Sequence, residues 1–484
     1  MTNTQIFVRV ITELRTLTVD FPHKVYAVGG CVRDLILGVS SHDIDIVVDY
    51  LEGEQELARF LQERYPEKIK NFVPNIKFGT NRFTLVLGDG TEEQIDCAMT
   101  RVESYAQGSR KPEEVGYAGV NIDALRRDFT LNALYYDIST NAILDPTGNG
   151  QEDLKNGILR TPLDPAETFN EDSLRMMRAI RFKHCKGFKL SDEVFEGIKS
   201  SASSISTTAK ERISEEFCKI LLSKTPVEGI RDLHESGLLS YILPEFDNYW
   251  GMDQKSRFHN LTFTDHCLEV LRKVAEKSNS LELRMAALLH DIAKPQPEGH
   301  QEKEDGRWTY VGHDIASRDL ALKICLERFK FSRSMSNRIA RLVGWHMIIK
   351  DSWKDGIYTG KDSEIREVYR ILGNDLEDEL ILVDADNCSH ALEYCMVGQV
   401  EQFKKRLNGG LEIADYSKPL VDGTEVCELL GVKPSKVVAM FLKIVDIWRD
   451  HNPKLTKEDL PALIKEQRNF TKAFKEELEI SRLS

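Results

Sequence analysis

The first third of the chain alternates short runs of β-branched and aromatic residues with segments of helical spacing. The runs VYAVGG, DIDIVV, RFTLVLG and ALYYDIS are typical of strands, and helical segments lie between them. This alternation predicts an α/β or α+β domain over residues 1–150. The turn sequence DPTGNG at 145–150 indicates where its sheet ends.

From residue 171 onward, apolar residues recur three and four positions apart, as in EDSLRMMRAIRF and SRDLALKICLERF. This spacing predicts a helical remainder, which we divide into residues 151–250, 251–400 and 401–484. A polar stretch at 297–312 interrupts the spacing and predicts a hairpin or loop. The expected fold class is therefore α+β, with a mixed β-sheet and helices first and all-α regions after it.

Composition narrows the class of protein without giving a function. The chain has 484 residues, of which 41% are hydrophobic and 30% are charged, as in ordinary globular proteins. Its apolar runs fall short of the roughly 18 residues that span a bilayer, so we expect no membrane contact. Nine cysteines without a CxxC pair fit reduced thiols and a cytoplasmic location. The net charge of −13 disfavours a surface coated for nucleic acid but leaves room for local basic patches.

The stretch AVGGCVRDLILGVSSHDIDIVV at 27–48 sets two acids one residue apart in an apolar run. On a strand, Asp43 and Asp45 share one face, with Cα atoms roughly 6–7 Å apart. Carboxylates at that spacing suit Mg²⁺ at a site of phosphoryl transfer. Asp96, in EEQIDCAMTR, is the expected third acid, which would complete the metal cage and help to deprotonate an attacking hydroxyl. The alternative is a solvated strand face.

The glycine pair ahead of these acids predicts a phosphate cradle. Gly29 and Gly30 turn into a helix whose free N–H groups would face a triphosphate, and Arg33 would add a charged donor one turn in. The alternative is a simple turn between a strand and a helix.

The motif LRRDFTLNAL at 125–134 carries further polar candidates. Arg126 and Arg127 offer the bidentate donors that phosphate and ribose oxygens favour. Asp128 would orient one of those arginines or meet the ribose hydroxyls, and Asn132 offers a donor and an acceptor. The alternative is the start of a surface helix with an internal salt bridge.

In EDSLRMMRAIRF, Glu171, Arg175, Arg178 and Phe182 fall on one stripe of a predicted helix. Asp172 and Arg175 are helix neighbours as well, and a carboxylate and a guanidinium held edge-on can read the Watson–Crick edge of a base. The alternative is an ordinary solvated helix face with ion pairs.

A second set of candidate ligands has the order and context of an HD domain. Its HD pair, in LLHDIAKP, lies in an apolar helix, where two polar groups are costly without a partner. Such ligands suit Mn, Ni, Fe, Zn or Mg, and the site would aim an activated water at a phosphate ester. His259 is either a further site residue or a helix cap, and any single histidine is more often a core or surface residue. The candidate ligands are His266, His290, Asp291, His313, His346 and Asp384.

Three motifs, GGCVRDLILG…HDIDIVV, LRRDFTLNAL and EDSLRMMRAIRF, follow one another as in class II tRNA nucleotidyltransferases. This family comprises the CCA-adding enzymes, with bacterial poly(A) polymerases as close relatives. The resemblance covers roughly the first half of the chain. It implies a nucleotidyltransferase head (1–150), a helical neck that selects the base and binds RNA (151–250) and an HD metal-binding domain (251–400). The basic clusters FKKRLN, KPSKVVAMFLKIV and IKEQRNFTKAFK make the helical tail (401–484) a candidate for contact with the tRNA backbone, the alternative being ordinary surface lysines.

The resemblance also implies individual roles. Asp172 and Arg175 would act as the template that selects CTP or ATP, and Arg178 and Arg181 would position the nucleotide or Asp172. The polar segment 101–118 resembles the mobile loop used in switching from C to A addition.

The expected function is template-independent addition of CCA to tRNA from CTP and ATP, with Mg²⁺ at the head and no obligate protein partner. Similarity to HD-bearing relatives suggests a phosphatase or 2′,3′-cyclic phosphodiesterase activity with an unidentified divalent metal. The rival hypotheses are a poly(A) polymerase, an enzyme that adds only CC or only A, and an HD phosphohydrolase whose N-terminal domain grips RNA.

Overall fold

The structure is a computed structural model that describes residues 4–39, 43–75, 79–104, 114–297, 299–466 and 470–483. The chain forms two compact units. The first contains Met1–Asn248 with Arg328–Lys330, and the second contains Tyr249–Glu327 with Phe331–Ser484. No helix of the described ranges is both long and apolar enough to cross a bilayer.

The first unit is built on a mixed sheet, as the α+β prediction requires. Among the described residues it has seven strands in the order β3-β4-β5-β2-β1-β8-β9. The pair β2–β5 is parallel, and the other neighbours are antiparallel. These strands are β1 Val25–Val28, β2 Ile44–Val48, β3 Ile69–Asn75, β4 Thr80–Val86, β5 Glu92–Met99, β8 Tyr135–Asp137 and β9 Ile143–Leu144. Two smaller pairs are the hairpin β6 Arg101–Ser104 with β7 Glu114–Tyr117, and β10 Ile158–Leu159 with β11 Lys189–Leu190.

Helices cover the sheet and continue the unit beyond it. They are α1 Thr4–Leu17, α2 Gly30–Ile36, α3 Gly53–Arg64, α4 Val120–Leu125, α5 Gly150–Asn156, α6 Pro165–Glu171, α7 Leu174–Lys186, α8 Asp192–Ser201, α9 Lys210–Leu221, α10 Pro226–Glu235, α11 Leu239–Ile242 and α12 Pro244–Asp247. Strand β2 shows why the sequence folds in this way. Its isoleucines and valines are buried, while Asp45 alone is exposed.

One predicted helix is two. The segment EDSLRMMRAIRF breaks at Asp172, whose backbone is extended (φ −143°, ψ 102°) between α6 and α7. Asp172 Oδ1 accepts a hydrogen bond from the Leu174 backbone N–H at 3.1 Å, so the side chain satisfies a donor at the start of α7. The predicted stripe is therefore interrupted, because Glu171 ends α6 while Arg175 lies in α7.

The second unit is almost entirely helical. Its helices are α13 Phe263–Lys277, α14 Leu281–Leu289, α15 His313–Glu327, α16 Arg333–Trp345, α17 Asp362–Leu372, α18 Leu376–Asn387, α19 Gln399–Asn408, α20 Gly423–Leu430, α21 Lys436–His451, α22 Leu460–Glu466 and α23 Lys472–Leu483. The predicted interruption at 297–312 contains the hairpin β12 Gln301–Glu302 with β13 Trp308–Thr309, and a second hairpin pairs β14 Trp353–Lys354 with β15 Ile357–Tyr358. One apolar cluster packs around Phe441 and Trp448, and another packs around Leu380 and Phe403.

Helix α1 offers a direct test of this packing. Ile11 is 2% exposed and Val8, one turn earlier, is 51% exposed. We expect Ile11→Ala to lower the free energy of unfolding by about 2–5 kcal/mol, because it leaves a cavity in the core. Val8→Ala should change it by less than about 0.5 kcal/mol. Urea unfolding followed by circular dichroism measures both, and equal effects would contradict the packing.

Candidate active site and metal centre

The predicted acids of the head meet at neighbouring strands. Asp45 on β2 is paired directly with Asp96 on β5, and Asp43 immediately precedes β2. Asp45 and Asp96 line a cavity of about 440 Å³. Paired residues of adjacent strands project from the same face, so the sheet places these two carboxylates side by side.

The negative charges of Asp43, Asp45 and Asp96 would be stabilised by a cation bound between them. The pKa of Asp45 is raised, first because the surrounding protein removes water from the carboxylate and then because Asp96 and Asp43 repel its negative charge. Arg127 opposes the shift in part. Carboxylate oxygens gathered in this way are the ligands that Mg²⁺ prefers, so the residues fit a divalent cation.

Arg82 is a cavity residue that the sequence pattern did not predict. It lies on β4 opposite Asp96, and its Nε and Nη2 atoms lie 2.5 and 2.8 Å from the two carboxylate oxygens. Arg101, at the start of β6, lines the same cavity. The RFTLVLG strand held the signal for Arg82, but only the β4–β5 register reveals its partner.

The two arginines of LRRDFTLNAL line the cavity as predicted, and Asp123 holds them there. Asp123 Oδ1 accepts from Arg126 Nη2 at 2.7 Å, and Oδ2 accepts from Arg127 Nη2 at 2.9 Å and from the Tyr135 hydroxyl at 2.5 Å. Burial raises the pKa of this fully buried carboxyl, but Arg127 and Arg126 outweigh it and hold the pKa well below its ordinary value. Its position three and four residues before the arginines is the signal that could have found it.

The glycine turn is present, and Arg33 differs from expectation. Gly29 precedes α2 with φ +79°, a backbone conformation in which a side chain would be strained, and neither Gly29 nor Gly30 is among the residues that line the cavity. The guanidinium of Arg33 is buried and donates to Asp34 and to Asn132 Oδ1 at 2.7 Å. It does not line the cavity, because these two acceptors hold it in the interior.

Asp128 orients an arginine, though neither of its neighbours. Its Oδ2 accepts from Arg178 Nε at 2.9 Å and Nη2 at 2.6 Å, while Oδ1 accepts from Asn132 at 3.0 Å. Burial raises the pKa of Asp128, but Arg178 outweighs it and the pKa is lowered. Four residues predicted to bind the nucleotide are thus linked to one another by hydrogen bonds within the protein: Arg33, Asn132, Asp128 and Arg178.

The two residues predicted to read the base, Asp172 and Arg175, form hydrogen bonds with other residues of the protein. Asp172 Oδ2 accepts from Arg212 Nη2 at 2.9 Å, and Arg175 donates to Glu171 at 2.8 Å. Arg175 also donates to the backbone oxygens of Thr168 and Arg126. These contacts fix both side chains, which are not bonded to each other.

Two further predicted elements are Arg181 and the segment 101–118. Arg181 donates to Glu216 on α9 at 2.5 Å, whereas the resemblance implies that it positions the nucleotide or Asp172. The segment 101–118 begins and ends in the β6–β7 hairpin, and its residues 105–113 lie outside the described ranges.

Buried imidazoles and a carboxylate form a second site, in the second unit. Asp291 Oδ2 lies 3.2 Å from His290 Nε2 and 3.4 Å from His266 Nε2. Its Oδ1 lies 3.3 Å from His313 Nε2 and 3.6 Å from His346 Nε2. Two groups of three potential ligands, each within 4.8 Å, therefore share Asp291. A carboxylate between two ligand groups is an arrangement suited to a pair of metal ions.

Backbone carbonyls orient these rings. For His266, His290, His313 and His346 in turn, Nδ1 lies 3.2, 2.9, 2.5 and 2.7 Å from the oxygens of Ser389, Ala287, Tyr310 and Val343. A proton donated from Nδ1 leaves Nε2 as a free ligand atom. Burial holds the pKa of His346 well below its ordinary value, which keeps that ring neutral. Burial also lowers the pKa of His266, but Asp291 and Asp386 outweigh it and raise the pKa.

The prediction of Asp384 as the sixth ligand is wrong, because Asp386 lies at that position in the cluster. Asp386 Oδ1 is 3.1 Å from His266 Nε2, whereas Asp384 forms an ion pair with Lys277 and its side chain is 27% exposed. Residues two apart on a helix point roughly 200° from each other around its axis, so α18 can present only one of them to the cluster.

A lysine pairs with the Oδ2 atom of each of the two acids. Lys294 Nζ lies 2.5 Å from Asp291 Oδ2, and Lys350 forms an ion pair with Asp386 Oδ2. The Oδ1 atoms of both acids are buried and, within the described part of the chain, receive no hydrogen bond. Orphaned carboxylate oxygens beside Nε2 ligand atoms fit divalent metal.

A cleft of about 1080 Å³ opens beside the cluster. His259 lies in its wall, 3.3 Å from Lys294 Nζ and with its ring 4.8 Å from that of His266, and the cap of α13 is Thr262 instead. His390, whose pKa burial lowers to about 3, lies beside it. The aromatic wall comprises Phe258, Trp308, Tyr310, Trp353 and Tyr394.

Comparison with known proteins matches three families in chain order. They are the poly A polymerase head domain over residues 25–160, the probable RNA and SrmB-binding site of polymerase A over 187–249, and the HD domain over 263–389. The CCA-adding enzyme of Ligilactobacillus salivarius is 37% identical over 256 residues, which span 52% of this chain and 59% of that protein.

Two further proteins are similar over more of their length. The multifunctional CCA protein of Neisseria gonorrhoeae is 31% identical over 338 residues, spanning 67% of this chain and 74% of that protein. The crystal structure of the Bacillus stearothermophilus CCA-adding enzyme in complex with CTP has a TM-score of 0.64 at 21% identity, covering 95% of this chain and 97% of that one. That likeness shows a shared fold.

The buried acid behind the arginines gives the first prediction for this site. Asp123→Asn should lower the free energy of unfolding by about 3–5 kcal/mol, because it leaves two arginines without their buried counter-charge. The pKa of Asp123 is depressed in the folded protein, so its stabilisation is fully present above the ordinary value of 3.8 and is lost as pH falls through the folded value. Urea unfolding of both proteins from pH 7 to pH 3 should show the difference shrink only at the acid end. A difference that grows on acidification would contradict this account.

The exchange of Asp384 for Asp386 is tested by metal content. Asp386→Asn should weaken metal binding about 10- to 100-fold, because it removes a ligand oxygen from the cluster. Asp384→Asn, on the same helix but facing Lys277, should bind like the wild type. Elemental analysis after dialysis against buffered Mn²⁺ or Zn²⁺ measures both. Loss of metal in Asp384→Asn alone would restore the sequence-based assignment.

Proposed function

Because the chain belongs to the family of CCA-adding tRNA nucleotidyltransferases, we propose that it adds C, C and A in turn to the 3′ end of tRNA. The substrates are CTP and ATP, and each addition releases pyrophosphate. The observation that carries the proposal is the pairing of Asp45 with Asp96 in a cavity that Arg126 and Arg127 line.

The carboxylate row has two tasks in this reaction. Asp43 and Asp45 would hold Mg²⁺, which neutralises charge on the triphosphate when bound. Asp96 would accept the proton of the tRNA 3′-hydroxyl as that oxygen attacks the α-phosphate. The support is the position of Asp96 beside Asp45 at the same level of the sheet.

The arginines would position the nucleotide. Arg126 and Arg127 face the cavity with their orientation fixed by Asp123, so their donors are set before substrate arrives. Phosphoryl transfer depends mainly on such positioning and on charge stabilisation. The Gly29–Gly30 turn would let the main chain approach the triphosphate, while Arg33 donates to Asn132 in the interior.

Base selection is proposed for Asp172 and Arg175. A carboxylate accepts from an exocyclic amine, which both cytosine and adenine carry, and a guanidinium donates to a ring nitrogen or carbonyl. Arg212 and Glu171 hold the two side chains in place, which keeps the reading edge rigid. Arg178 contributes indirectly by holding Asp128.

A second activity is favoured by the buried cluster of the second unit. We propose that it hydrolyses a phosphoester, with His266, His290, Asp291, His313, His346 and Asp386 holding divalent metal. The lysine ammoniums at the base of the adjacent cleft would meet the negative charge of a phosphate.

The domain roles and the location in the cell belong to the same proposal. The four sequence regions would be a head, a base-selecting neck, an HD domain and a tail that contacts the tRNA backbone. A cytoplasmic location is supported by nine cysteines that are all free thiols.

The decisive experiment extends a tRNA transcript that lacks CCA. With CTP alone the wild type should add two nucleotides, and with CTP and ATP it should add three and stop. Asp45→Asn should slow addition by about 10³-fold or more, the scale on which phosphoryl transfer depends on charge stabilisation. Asp386→Asn serves as the matched acid outside the head and should retain addition.

Each rival has its own outcome in that assay. Long tails from ATP alone would identify a poly(A) polymerase, and arrest after CC or addition of A alone would identify a partial enzyme. An HD phosphohydrolase would lose its main activity in Asp386→Asn and keep it in Asp45→Asn.

A further inference from the structure

Arg82 stands at one end of a row of charges in the head cavity. It lies opposite Asp96 across the β4–β5 pair, and Asp96 lies beside Asp45 across the β5–β2 pair. Since paired residues share a face of the sheet, a guanidinium and two carboxylates follow one another across three strands.

The guanidinium engages both oxygens of Asp96. Its Nε lies 2.5 Å from Oδ1 and its Nη2 lies 2.8 Å from Oδ2, which is the fork in which arginine binds a carboxylate most favourably. The fork covers the edge of Asp96 that a metal ion or a substrate hydroxyl would otherwise use.

Exposure distinguishes this pair from the other arginine contacts of the cavity. The side chains of Arg82 and Asp96 are 54% and 43% exposed, whereas the carboxylate that holds Arg126 and Arg127 is 0% exposed. Water screens an exposed pair, so a competing cation can displace it at small cost.

We propose that Arg82 is a positioning residue that acts as an internal counter-cation, which holds Asp96 while the head has no divalent ion and releases it when one binds. The inference rests on the proposed function. The freed guanidinium stays in a cavity that Arg101, Arg126 and Arg127 also line, so its charge remains available to phosphate oxygens. The same residue thus balances the acids before substrate binds and leaves Asp96 free afterwards.

Metal binding without nucleotide tests this competition. Mn²⁺ is titrated into the full-length protein by calorimetry, and the head site is defined as the binding that Asp45→Asn loses. Arg82→Gln should bind Mn²⁺ there roughly two- to fivefold more tightly than the wild type, the range expected for loss of an exposed ion pair. Arg82→Lys should fall between them, because it keeps the charge without the fork.

The matched control is Lys70→Gln. Lys70 is an exposed strand cation that pairs with Glu92 on β5 at 2.7 Å, and neither residue lines the cavity. This variant should bind Mn²⁺ like the wild type. In tRNA extension, Arg82→Gln should also need roughly two- to fivefold less Mg²⁺ for half-maximal rate, a shift that a purely structural role would not produce.

Two outcomes overturn the inference in different ways. If Arg82→Gln melts like the wild type but binds Mn²⁺ equally or more weakly, Arg82 does not compete with metal, and the proposed function stands. If Asp45→Asn keeps all Mn²⁺ binding, the proposed head site fails and the role of Arg82 fails with it.

Discussion

The buried carboxylate of Asp123 accepts hydrogen bonds from Arg126, Arg127 and Tyr135, and the arginine wall of the head cavity depends on it. An arginine facing a triphosphate must be held in place before the ligand arrives, since ordering it later would reduce the binding free energy. Asp128 does the same for Arg178. Largely buried acids therefore fix these arginines of the head, while other acids line the cavity itself.

In the second unit the groups to be fixed are acids and imidazoles, which must be held in place to bind a cation. Lys294 and Lys350 each pair with the Oδ2 atom of Asp291 or Asp386, while the Oδ1 atom of each acid lies beside a histidine Nε2. Backbone carbonyls fix the rings through Nδ1, so the ligand atoms of the cluster converge without any histidine needing another side chain for orientation.

Local patterns predicted much of both sites, and the errors have a common cause. The strand alternation placed Asp45 correctly, and the HD pair led to the buried cluster. Asp384 was chosen over Asp386 because the sequence does not show which face of α18 meets the histidines. The role of Arg82 depends on a strand register that forms only in the folded sheet. The sequence alone did not reveal the contacts between distant segments.

Solvent access separates the chemistry that the two sites can support. Asp96 is 43% exposed, so ions and phosphates can enter and leave the head within each addition. His266 and His290 are fully buried, and a cation among them would exchange slowly because its ligands must part before water can replace them. A site that takes two different nucleotides in succession needs the first property. The exposure of the head acids is thus a condition of repeated addition, and the Arg82–Asp96 pair is how an exposed row of acids remains balanced between additions.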